Sequence, residues 1–483
     1  MTVYMLRVQR RADTTCVKLL GFLSESRIFA LAHAVVLAGL TNFAPAQAQT
    51  VQEHLPSATT PAPASSSDAL PDDETVAIHG QATFVVQGTP GFASPYTGPN
   101  SLVPRQAKET VDVTLYAGVR PWAGAELWVN PEIDQGFGLS NTLGVAGFPS
   151  AEAYKVGRNN PYFRLQRAFF RQTIGLGGER EAVEGAANQL GEARAKDRLV
   201  LTVGKFGVGD VFDTNSYAHD PRGDFLNWSA VDAGSFDYAA DAWGYTTGIA
   251  AEWYRSAWTF RLGAFNLSKV PNGETLETGF QQYQLDAEIE HRHMLAGRPG
   301  AVRVTVFRNR GQFGRFDDAL ALAAQTGADA DTALVRRRRT RAGVSINAEQ
   351  AVTDTLGLFA RAGVANGQVE PYDFTDIDRT GQLGLALKGA GWGRGGDTIG
   401  AVFIVNGISR EHQRYLDAGG LGVLVGDGRL PHPGSEYIGE AYYKVVALKG
   451  VEFSLDYQHI ANPGYNRDRG PANVFAFRAH EAF

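Results

Sequence analysis

The sequence predicts an all-β fold, a transmembrane antiparallel up-and-down β-barrel of about 16 strands. Segments in which apolar and polar residues alternate recur from Val76 to the end of the chain, as in strands with one face on lipid and the other on water. Long and short connections alternate between these segments. The mean hydropathy of −0.19 is too polar for a bundle of membrane helices, and no apolar run reaches the about 18 residues that such a helix needs.

The N-terminal region is predicted to direct export. Basic residues precede an apolar stretch within residues 1–48, and residues 46–48 offer a cleavage site flanked by small side chains. A short amphipathic helix of the mature protein is the alternative. The only cysteine, Cys16, lies in this segment, so the exported chain would have none. We therefore expect a signal peptide at 1–48 and Sec-type export to a bacterial outer membrane.

The next segment, residues 49–75, is rich in Pro, Ser, Ala and Thr and nearly lacks large apolar side chains. A chain of this composition cannot bury enough apolar surface to offset the entropy lost on ordering. We expect a disordered periplasmic segment here, followed by the barrel at 76–483.

The predicted strands follow in chain order, each with one mainly apolar face. They occupy residues 76–87, 111–120, 125–132, 167–174, 199–206, 244–253, 257–265, 284–293, 301–310, 338–350, 355–365, 381–388, 398–406, 435–448, 451–460 and 472–483. The last strand puts Phe475, Phe477 and Phe483 on one face and Arg478 and His480 on the other. An edge strand of a soluble sandwich would alternate in the same way, but ending on an aromatic strand is typical of barrels inserted by their last strand.

The connections carry a second pattern. An even number of strands places both termini at the periplasmic end, with mostly short turns there and long loops outside. A soluble fold would not need so many long loops on one edge, because structureless loops above about 15 residues are uncommon in compact domains. Residues 175–197 depart from the pattern, since they are long, charged and helix-prone yet fall on the periplasmic side. We expect either a short helix beneath the barrel or an additional strand pair.

Aromatic residues near strand ends are predicted to form the two girdles at the membrane interfaces, where a ring is half apolar and half wet. They are Tyr245, Trp253, Trp258, Tyr442 and Tyr457.

Three motifs that suggest other chemistry have simpler interpretations. The Gly-rich residues 389–396 lack the following helix that a phosphate-binding loop needs, so a hairpin turn is expected. His291 and His293 share one strand face, but no third metal ligand is evident. The carboxylates within 210–241 would suit a paired-carboxylate hydrolase only at a separation that the sequence does not define. We therefore predict no catalytic residue, metal or cofactor, and expect that the protein is not an enzyme.

Two charged segments are expected in the outer loops. Residues 317–330 are rich in alanine and begin with an aspartate that caps a helix, which predicts a short helix. Residues 336–339 are four consecutive arginines, which either meet the phosphates of lipopolysaccharide at the outer rim or form a solvated charged run. The formal charge of −6, without a basic domain, argues against nucleic acid as a partner.

Several multi-residue motifs occur in a fixed order along the chain. They read Gly204-Lys-Phe-Gly-Val-Gly-Asp-Val-Phe-Asp213, Ala218-His-Asp-Pro-Arg222, Phe225-Leu-Asn-Trp228, Phe236-Asp-Tyr-Ala-Ala-Asp241 and Ala461-Asn-Pro-Gly-Tyr-Asn-Arg-Asp-Arg-Gly-Pro471, preceded by Pro95-Tyr-Thr-Gly-Pro-Asn-Ser101 and Leu127-Trp-Val-Asn-Pro-Glu132. Together they resemble the carbohydrate-selective porin (OprB-type) family over residues 76–483. The resemblance implies an outer-membrane barrel that passes sugars by facilitated diffusion.

A sugar channel needs aromatic rings for the flat face of the sugar and polar side chains that replace its lost water. The inner faces of predicted strands supply the candidates Glu126, Trp128, Asn130, Glu132, Arg167 and Arg171. The family-like segments add Asp213, His219, Asp220, Arg222 and Trp228. For this second group the alternative is a structural role, such as a salt bridge between Asp220 and Arg222 that pins a loop. The constriction is expected from the long loop after Asn130 or from the connection 210–241.

Two other functions stay open at this point: a general or anion-preferring diffusion porin without a sugar site, and an outer-membrane barrel enzyme. The partners expected besides sugars are outer-membrane lipid and lipopolysaccharide, and the barrel-assembly machinery, which would read the strand ending at Phe483. A homo-oligomer is a further possibility.

Overall fold

A computed structural model describes residues 73–483, which form one closed antiparallel barrel of 16 strands. Each strand pairs with its neighbours in sequence, and the first pairs with the last. The predicted signal peptide at 1–48 and nearly all of the segment 49–75 lie outside the described residues. The strands are β1 (Val76–Thr89), β2 (Gln106–Val119), β3 (Ala125–Gly136), β4 (Arg158–Val183), β5 (Glu192–Phe206), β6 (Thr246–Arg255), β7 (Trp258–Asn266), β8 (Tyr283–Leu295), β9 (Arg298–Phe313), β10 (Arg337–Ala351), β11 (Leu356–Ala365), β12 (Arg379–Gly389), β13 (Arg394–Gly407), β14 (Glu436–Leu448), β15 (Val451–Ala461) and β16 (Ala472–Ala482).

The predicted fold class is confirmed, and the inward and outward faces follow the alternation in the sequence. In β16, Phe475 is 55% exposed on the outer face, whereas Val474 and Arg478 are buried inside. The barrel closes where Gly80 and Phe483 exchange two backbone hydrogen bonds, of 3.1 and 3.0 Å. A Cβ atom at Gly80 would lie 2.5 Å from the ring of Phe483, so the terminal aromatic ring covers a position that only glycine fits.

The three α-helices within residues 73–483 are short and lie in the long connections. They are α1 (Trp228–Val231), α2 (Phe316–Thr326) and α3 (Arg410–Asp417). The helix expected within 317–330 is α2, which ends at Thr326 because Gly327 adopts a left-handed φ of 71° as its C-cap. Within residues 73–483, no helix has the length and apolar character needed to cross a membrane.

The connections alternate in length, which defines two ends of the barrel. At the short-turn end, strands are joined by tight turns such as Ser256 between β6 and β7 and Gly450 between β14 and β15. The Gly-rich residues 389–396 form one of these hairpin turns, as expected. At the long-loop end, extended connections such as 207–245 and 408–435 carry the helices. Both the first described residues and Phe483 lie at the short-turn end.

Residues 175–197 contradict the expectation of a helix. They continue β4 to Val183 and begin β5 at Glu192, so the hairpin is longer than the wall of the barrel. We call residues 175–198 the tongue. Its register shifts at Gly177 and Gly178, whose φ values of 110° and 84° suit glycine and bend the hairpin. Helix-prone Glu, Ala and Arg become strand here because the pairing of β4 with β5 extends into them, which overrides local propensity.

The interior of the barrel is filled from the long-loop end. Connection 207–245, which we call the inner loop, carries buried aromatic residues such as Phe212, Phe225 and Phe236. Side chains of several loops form one hydrophobic cluster inside, comprising Ala146, Phe148, Trp228, Ala240, Phe316, Phe374, Ile377, Tyr415, Leu424, Val425 and Tyr465 among others.

The predicted girdle is only partly found. Trp253, Trp258 and Tyr457 are exposed on the outer face. The prediction that Tyr442 belongs to the girdle is wrong, because this residue faces inward and packs on Phe225 with ring centroids 4.9 Å apart. The prediction for Tyr245 is also wrong, because this residue ends the inner loop and lies beside Arg167 inside the barrel.

Candidate functional site

The inner loop is fixed to the far wall of the barrel by a buried arginine. Arg361 on β11 lies 3.3 Å from the carboxylate of Asp213 and donates to the carbonyls of Ala218 and Ala230 at 2.8 and 2.9 Å. Asp213 accepts in turn from the backbone N–H of Ala233 at 2.7 Å. Since Arg361 and Asp213 are almost without exposure, this pair anchors the loop and is closed to solvent.

A second buried pair holds the same loop further along. Arg341 on β10 lies 3.1 Å from Asp237, and Asp237 also accepts from the backbone N–H of Tyr372 at 3.0 Å. Trp228 of α1 stacks on Phe148 of the preceding long loop with centroids 5.4 Å apart, and it too is buried. The inner loop is therefore bound by buried contacts to β10, β11 and the loop 137–157, whereas its contacts with the opposite wall, formed by β3–β5, are partly exposed.

Along that opposite wall, charged side chains of β4 and β5 remain accessible. Arg167 donates to both oxygens of Asp210 in the inner loop, at 2.8 and 2.6 Å. Arg164 and Lys205 approach Asp241 at 3.2 and 3.1 Å. The side chains of Arg167 and Asp210 are 15% and 30% exposed, so this ion pair bridges wall and loop while still touching solvent.

Two aromatic rings from the end of the inner loop lie against these cations. The guanidinium of Arg164 is 3.5 Å from the ring centroid of Trp243, and that of Arg167 is 4.9 Å from Tyr245. Charged and aromatic side chains thus alternate across one gap between the inner loop and β3–β5. We call this gap the passage; it is lined by Arg164, Arg167, Lys205, Asp210, Trp243 and Tyr245.

Arg222 forms a second charged centre next to the passage. Its guanidinium lies 3.2 Å from Asp112 and Glu132 on the wall and 3.0 Å from Glu152 of the loop 137–157. Burial opposes the charged form, but these carboxylates raise the pKa of Arg222 well above its ordinary value. The cation stays charged, and one inner-loop residue ties β2, β3 and a second loop together.

Beside Asp210 lie two more titratable groups of the inner loop. A Cβ atom on Gly209 would be 3.8 Å from His219 and 3.9 Å from Asp232, which places both next to Asp210. Burial lowers the pKa of His219, so its imidazole is neutral at neutral pH. Burial and the nearby negative charge of Asp213 raise the pKa of Asp232 to about 7. Asp210 itself stays ionised, because Arg167 holds its pKa below the usual value against the effect of burial.

The structure groups the predicted residues into two sets. The inner faces of β3 and β4 carry the six wall candidates, as expected, but Trp128 and Asn130 are fully covered. Trp128 donates to Glu126 at 2.8 Å, and Glu126 also lies 3.3 Å from Arg171. Only Arg167 of this set reaches the passage directly.

Of the second set, His219 and Arg222 lie near the passage, whereas Asp213 and Trp228 are buried anchors. The guanidinium of Arg222 contacts the carboxylates of Asp112, Glu132 and Glu152, and the backbone N–H of Arg222 donates to Asp220 at 2.9 Å.

Sequence reasoning missed five of the passage residues. Arg164 lay outside the predicted part of β4, and a register shift between Asn130 and Pro131 turns it inward together with Arg167. Lys205 lies at the end of β5, where alternation would place it on the outer face with Val203; Gly204, with a φ of 140°, interrupts the alternation just before it. Asp210 and Trp243 lie in loops, where alternation carries no information.

A closed 16-stranded barrel with an apolar outer face and a polar interior is the architecture of barrels that form outer-membrane channels. Residues 101–483 match the family described as carbohydrate-selective porin, OprB family. The fold is similar to that of Pseudomonas putida OprB, solved at high pH, with a TM-score of 0.65 and 18% identity over 85% of this chain and 94% of that one.

More distant similarity extends to other barrels. The Acinetobacter baumannii channel DcaP has a TM-score of 0.48 and 10% identity over 84% of this chain and 97% of its own. Pseudomonas aeruginosa OccK2 in complex with glucuronate has a TM-score of 0.42 and 11% identity over 84% and 98%. No curated protein sequence matches the chain. Because the family match covers most of its length, the chain belongs to the OprB family of carbohydrate-selective porins and is a sugar-permeating outer-membrane porin.

Proposed function

We propose that sugars cross the barrel through the passage and that Arg167 and Asp210 form its constriction. The observation that carries the proposal is the accessibility of this ion pair, which joins the wall to the inner loop at 2.6 Å and yet keeps both side chains partly exposed. The buried pairs Arg361–Asp213 and Arg341–Asp237 serve the loop instead. A neutral, hydroxyl-rich solute needs donors and acceptors side by side, and this pair offers both.

The aromatic residues of the passage give the flat face of a sugar a surface to lie on. Trp243 and Tyr245 come from the inner loop and face the cations of β4. Ring contacts and exchangeable hydrogen bonds are each weak, so a sugar binds and leaves again. Glu132 and Arg222 lie close enough to extend the polar lining at the same level. We assign Glu126, Arg171, His219 and Asp220 supporting places around this lining.

The test is single-channel current in planar bilayers while mono- and disaccharides are titrated. A sugar site in the passage is supported if a sugar blocks the current saturably and if this block weakens in Asp210→Asn. The block should be unchanged in the matched loop variant Asp331→Asn. Steady conductance that ignores sugars would instead indicate a general porin, and a reversal potential would show whether anions are preferred. Absence of conductance together with sugar hydrolysis would indicate a barrel enzyme.

We also propose that the outer rim binds lipopolysaccharide through three arginines, of which only Arg338 belongs to the run at 336–339. Arg336 is neutralised by Glu370 at 2.8 Å, and Arg337 and Arg339 both contact Asp318. Arg338 instead faces outward on β10, diagonally across from Arg310 on the outer face of β9, and Arg308 lies two residues further along that face. Within residues 73–483, none of these three forms an ion pair.

The position of the three arginines suits phosphate groups at the lipid surface. They follow Val302, Val304 and Val306 on β9, so they lie where the apolar face ends. Arg308 and Arg310 are about 7 Å apart along β9. Arg338 lies about 7–8 Å from Arg310, diagonally across the pair of strands β9 and β10. Guanidinium groups at this spacing converge on one phosphate.

Lipopolysaccharide retained after purification tests this proposal. The triple variant Arg308→Ser, Arg310→Ser, Arg338→Ser should retain less of it than Arg255→Ser, an exposed arginine at the short-turn end. Equal retention of lipopolysaccharide by the two variants would mean that the three arginines are only solvated and do not bind it.

A further inference from the structure

The tongue folds back under the passage from the short-turn end. At its tip, the side-chain oxygen of Asn188 accepts a hydrogen bond from Asn130 at 2.8 Å, and its carbonyl accepts one from Arg171 at 2.7 Å. Asn130 and Arg171 are on the inner faces of β3 and β4. Since Asn130 is five residues above the start of β3, the tip lies inside the ring of strands.

The tip is held in place by several independent contacts. Glu74 and Gly191 exchange two hydrogen bonds, of 2.9 and 2.8 Å. Arg120 in the turn after β2 lies 2.8 Å from Glu192, and both side chains are nearly buried. Leu190 is fully buried in a cluster with Tyr116, Trp128 and Phe169. The tongue is therefore a fixed part of the lumen wall.

Its place relative to the constriction follows from β4. Arg171, which donates to the backbone carbonyl of Asn188, lies four residues, about 13 Å, along β4 from Arg167 toward the short-turn end. The side chain of Asn188 also reaches Asn130, which pairs directly with Arg167 across β3 and β4, so the tip extends from the level of Arg171 up to the base of the constriction. A solute that leaves the proposed passage along β3–β5 therefore meets the tongue directly.

We infer that the tongue forms a second narrow region in series with the constriction and limits the size of the solutes that pass. The inference rests on the proposed route of sugars through the passage. Asn188, Gln189 and Arg171 present amide and guanidinium groups at this level, whereas Glu126 is covered and only orients Arg171, so a hydroxylated solute keeps hydrogen-bond partners as it leaves. Because the tip begins at the base of the constriction, a solute that leaves the constriction enters the second narrow region at once.

The experiment removes the tongue and measures the pore from the short-turn side. One variant deletes residues 178–196 and joins Gly177 to Asp197 through a two-residue Asn–Gly turn, which suits a hairpin. A second variant, the release variant, combines Arg120→Gln and Glu192→Gln with Asn188→Gly and Leu190→Ser, so that the ion pair, the side-chain contact of the tip and its buried apolar side chain are lost together without shortening the chain. The matched control, Arg298→Gln with Asp354→Asn, removes an ion pair between two other short turns.

Single-channel conductance in KCl and the cut-off size of polyethylene glycols added to the short-turn side are recorded for each protein. Removing one of two similar resistances in series raises the conductance about twofold. We expect this rise and a larger polymer cut-off in the deletion variant, a smaller rise in the release variant, and no change in the control. Both measurements are independent of sugar block, so they separate the tongue from the proposed constriction.

A folded deletion variant with unchanged conductance and unchanged polymer cut-off overturns the inference. Should the deletion variant not fold, the release variant decides: wild-type values for both quantities overturn it equally. If sugars do not block even the wild-type protein, the proposed constriction is refuted. The inference that the tongue narrows the pore is then still decided by conductance and polymer cut-off.

Discussion

At the residue scale, the same chemical pair serves two purposes in this barrel, and exposure separates them. Arg361 and Asp213 form an ion pair closed to water, whereas Arg167 and Asp210 form one that water reaches. A buried pair is costly to break, because the remaining charge loses its partner away from solvent. An exposed pair exchanges partners at little cost, which is what a permeating solute requires.

The first prediction concerns Arg167. Replacing it by glutamine removes the charged fork that faces Asp210, and a hydrogen bond to a charged group contributes about 1.5–3 kcal/mol. We expect the sugar concentration for half-maximal block to rise about tenfold. Current-block titration measures it. Arg315→Gln, which changes an exposed arginine in an outer loop, is the control and should behave as the wild type.

A second prediction follows from Asp232. Because its pKa is raised to about 7, the carboxyl is neutral in acid and gains negative charge as the pH rises through neutrality. Cation selectivity of the pore, read from reversal potentials in a salt gradient, should therefore increase between about pH 6 and pH 8. His219 does not oppose the change, since its pKa is lowered and it is already neutral. Asp232→Asn should abolish the step; a step of full size in that variant would contradict the assignment.

At the scale of elements, the inner loop depends on β11 more than on its own contacts. Arg361 holds Asp213 and two carbonyls that lie 12 residues apart in the loop. Arg361→Gln leaves the carboxylate of Asp213 buried without its cation, at a cost of about 3–5 kcal/mol. We expect the loop to detach, with noisier open-channel current and new trypsin cleavage near Arg222. Arg394→Gln, which breaks an exposed pair in a short turn, should leave cleavage unchanged.

The secondary-structure elements also show how much of the fold can be predicted from the sequence. All 16 strands and the alternation of their faces were predictable, since a lipid-facing strand such as β16 repeats every second residue. The helix α2 was predictable from its composition, but the aspartate expected to cap it is wrong: the N-cap is Arg315, whose side chain makes no capping hydrogen bond, and Asp317 and Asp318 lie in the first turn. The tongue was predictable only as one of two alternatives, a helix or a strand pair, because no apolar face marks its strands.

The passage shows which part of the candidate site could not be predicted from the sequence. Arg167 could be placed on an inner face, but its partner Asp210 is brought there by loop contacts that involve β8, β10 and β11. Long-range anchors of this kind leave no periodic signal. For the same reason Asp213 and Trp228, which the motifs single out, turned out to be buried: they position the loop that forms one side of the passage.

At the scale of the whole molecule, closure depends on the last residue. Phe483 contributes both backbone hydrogen bonds to Gly80 and a ring over that glycine. Deleting it leaves the lower end of β1 without its partner, so we expect slower assembly and less folded barrel in membranes. The folded fraction is measured by heat-dependent migration in gels. Phe483→Tyr keeps the ring and the backbone and should assemble normally; equal yields for deletion and wild type would contradict this role.

The cluster shared by the long loops has a consequence for how the outer surface can change over generations. Phe148, Phe316, Tyr415, Leu424 and Tyr465 come from four separate connections, yet they share one interior. A substitution in one loop therefore alters the fit of the others, and loops under attack by phages or antibodies cannot diversify one at a time. Gly327 after α2, by contrast, is exposed and has open space around it. Foreign peptides displayed on this porin belong there, where the chain can lengthen without disturbing its neighbours.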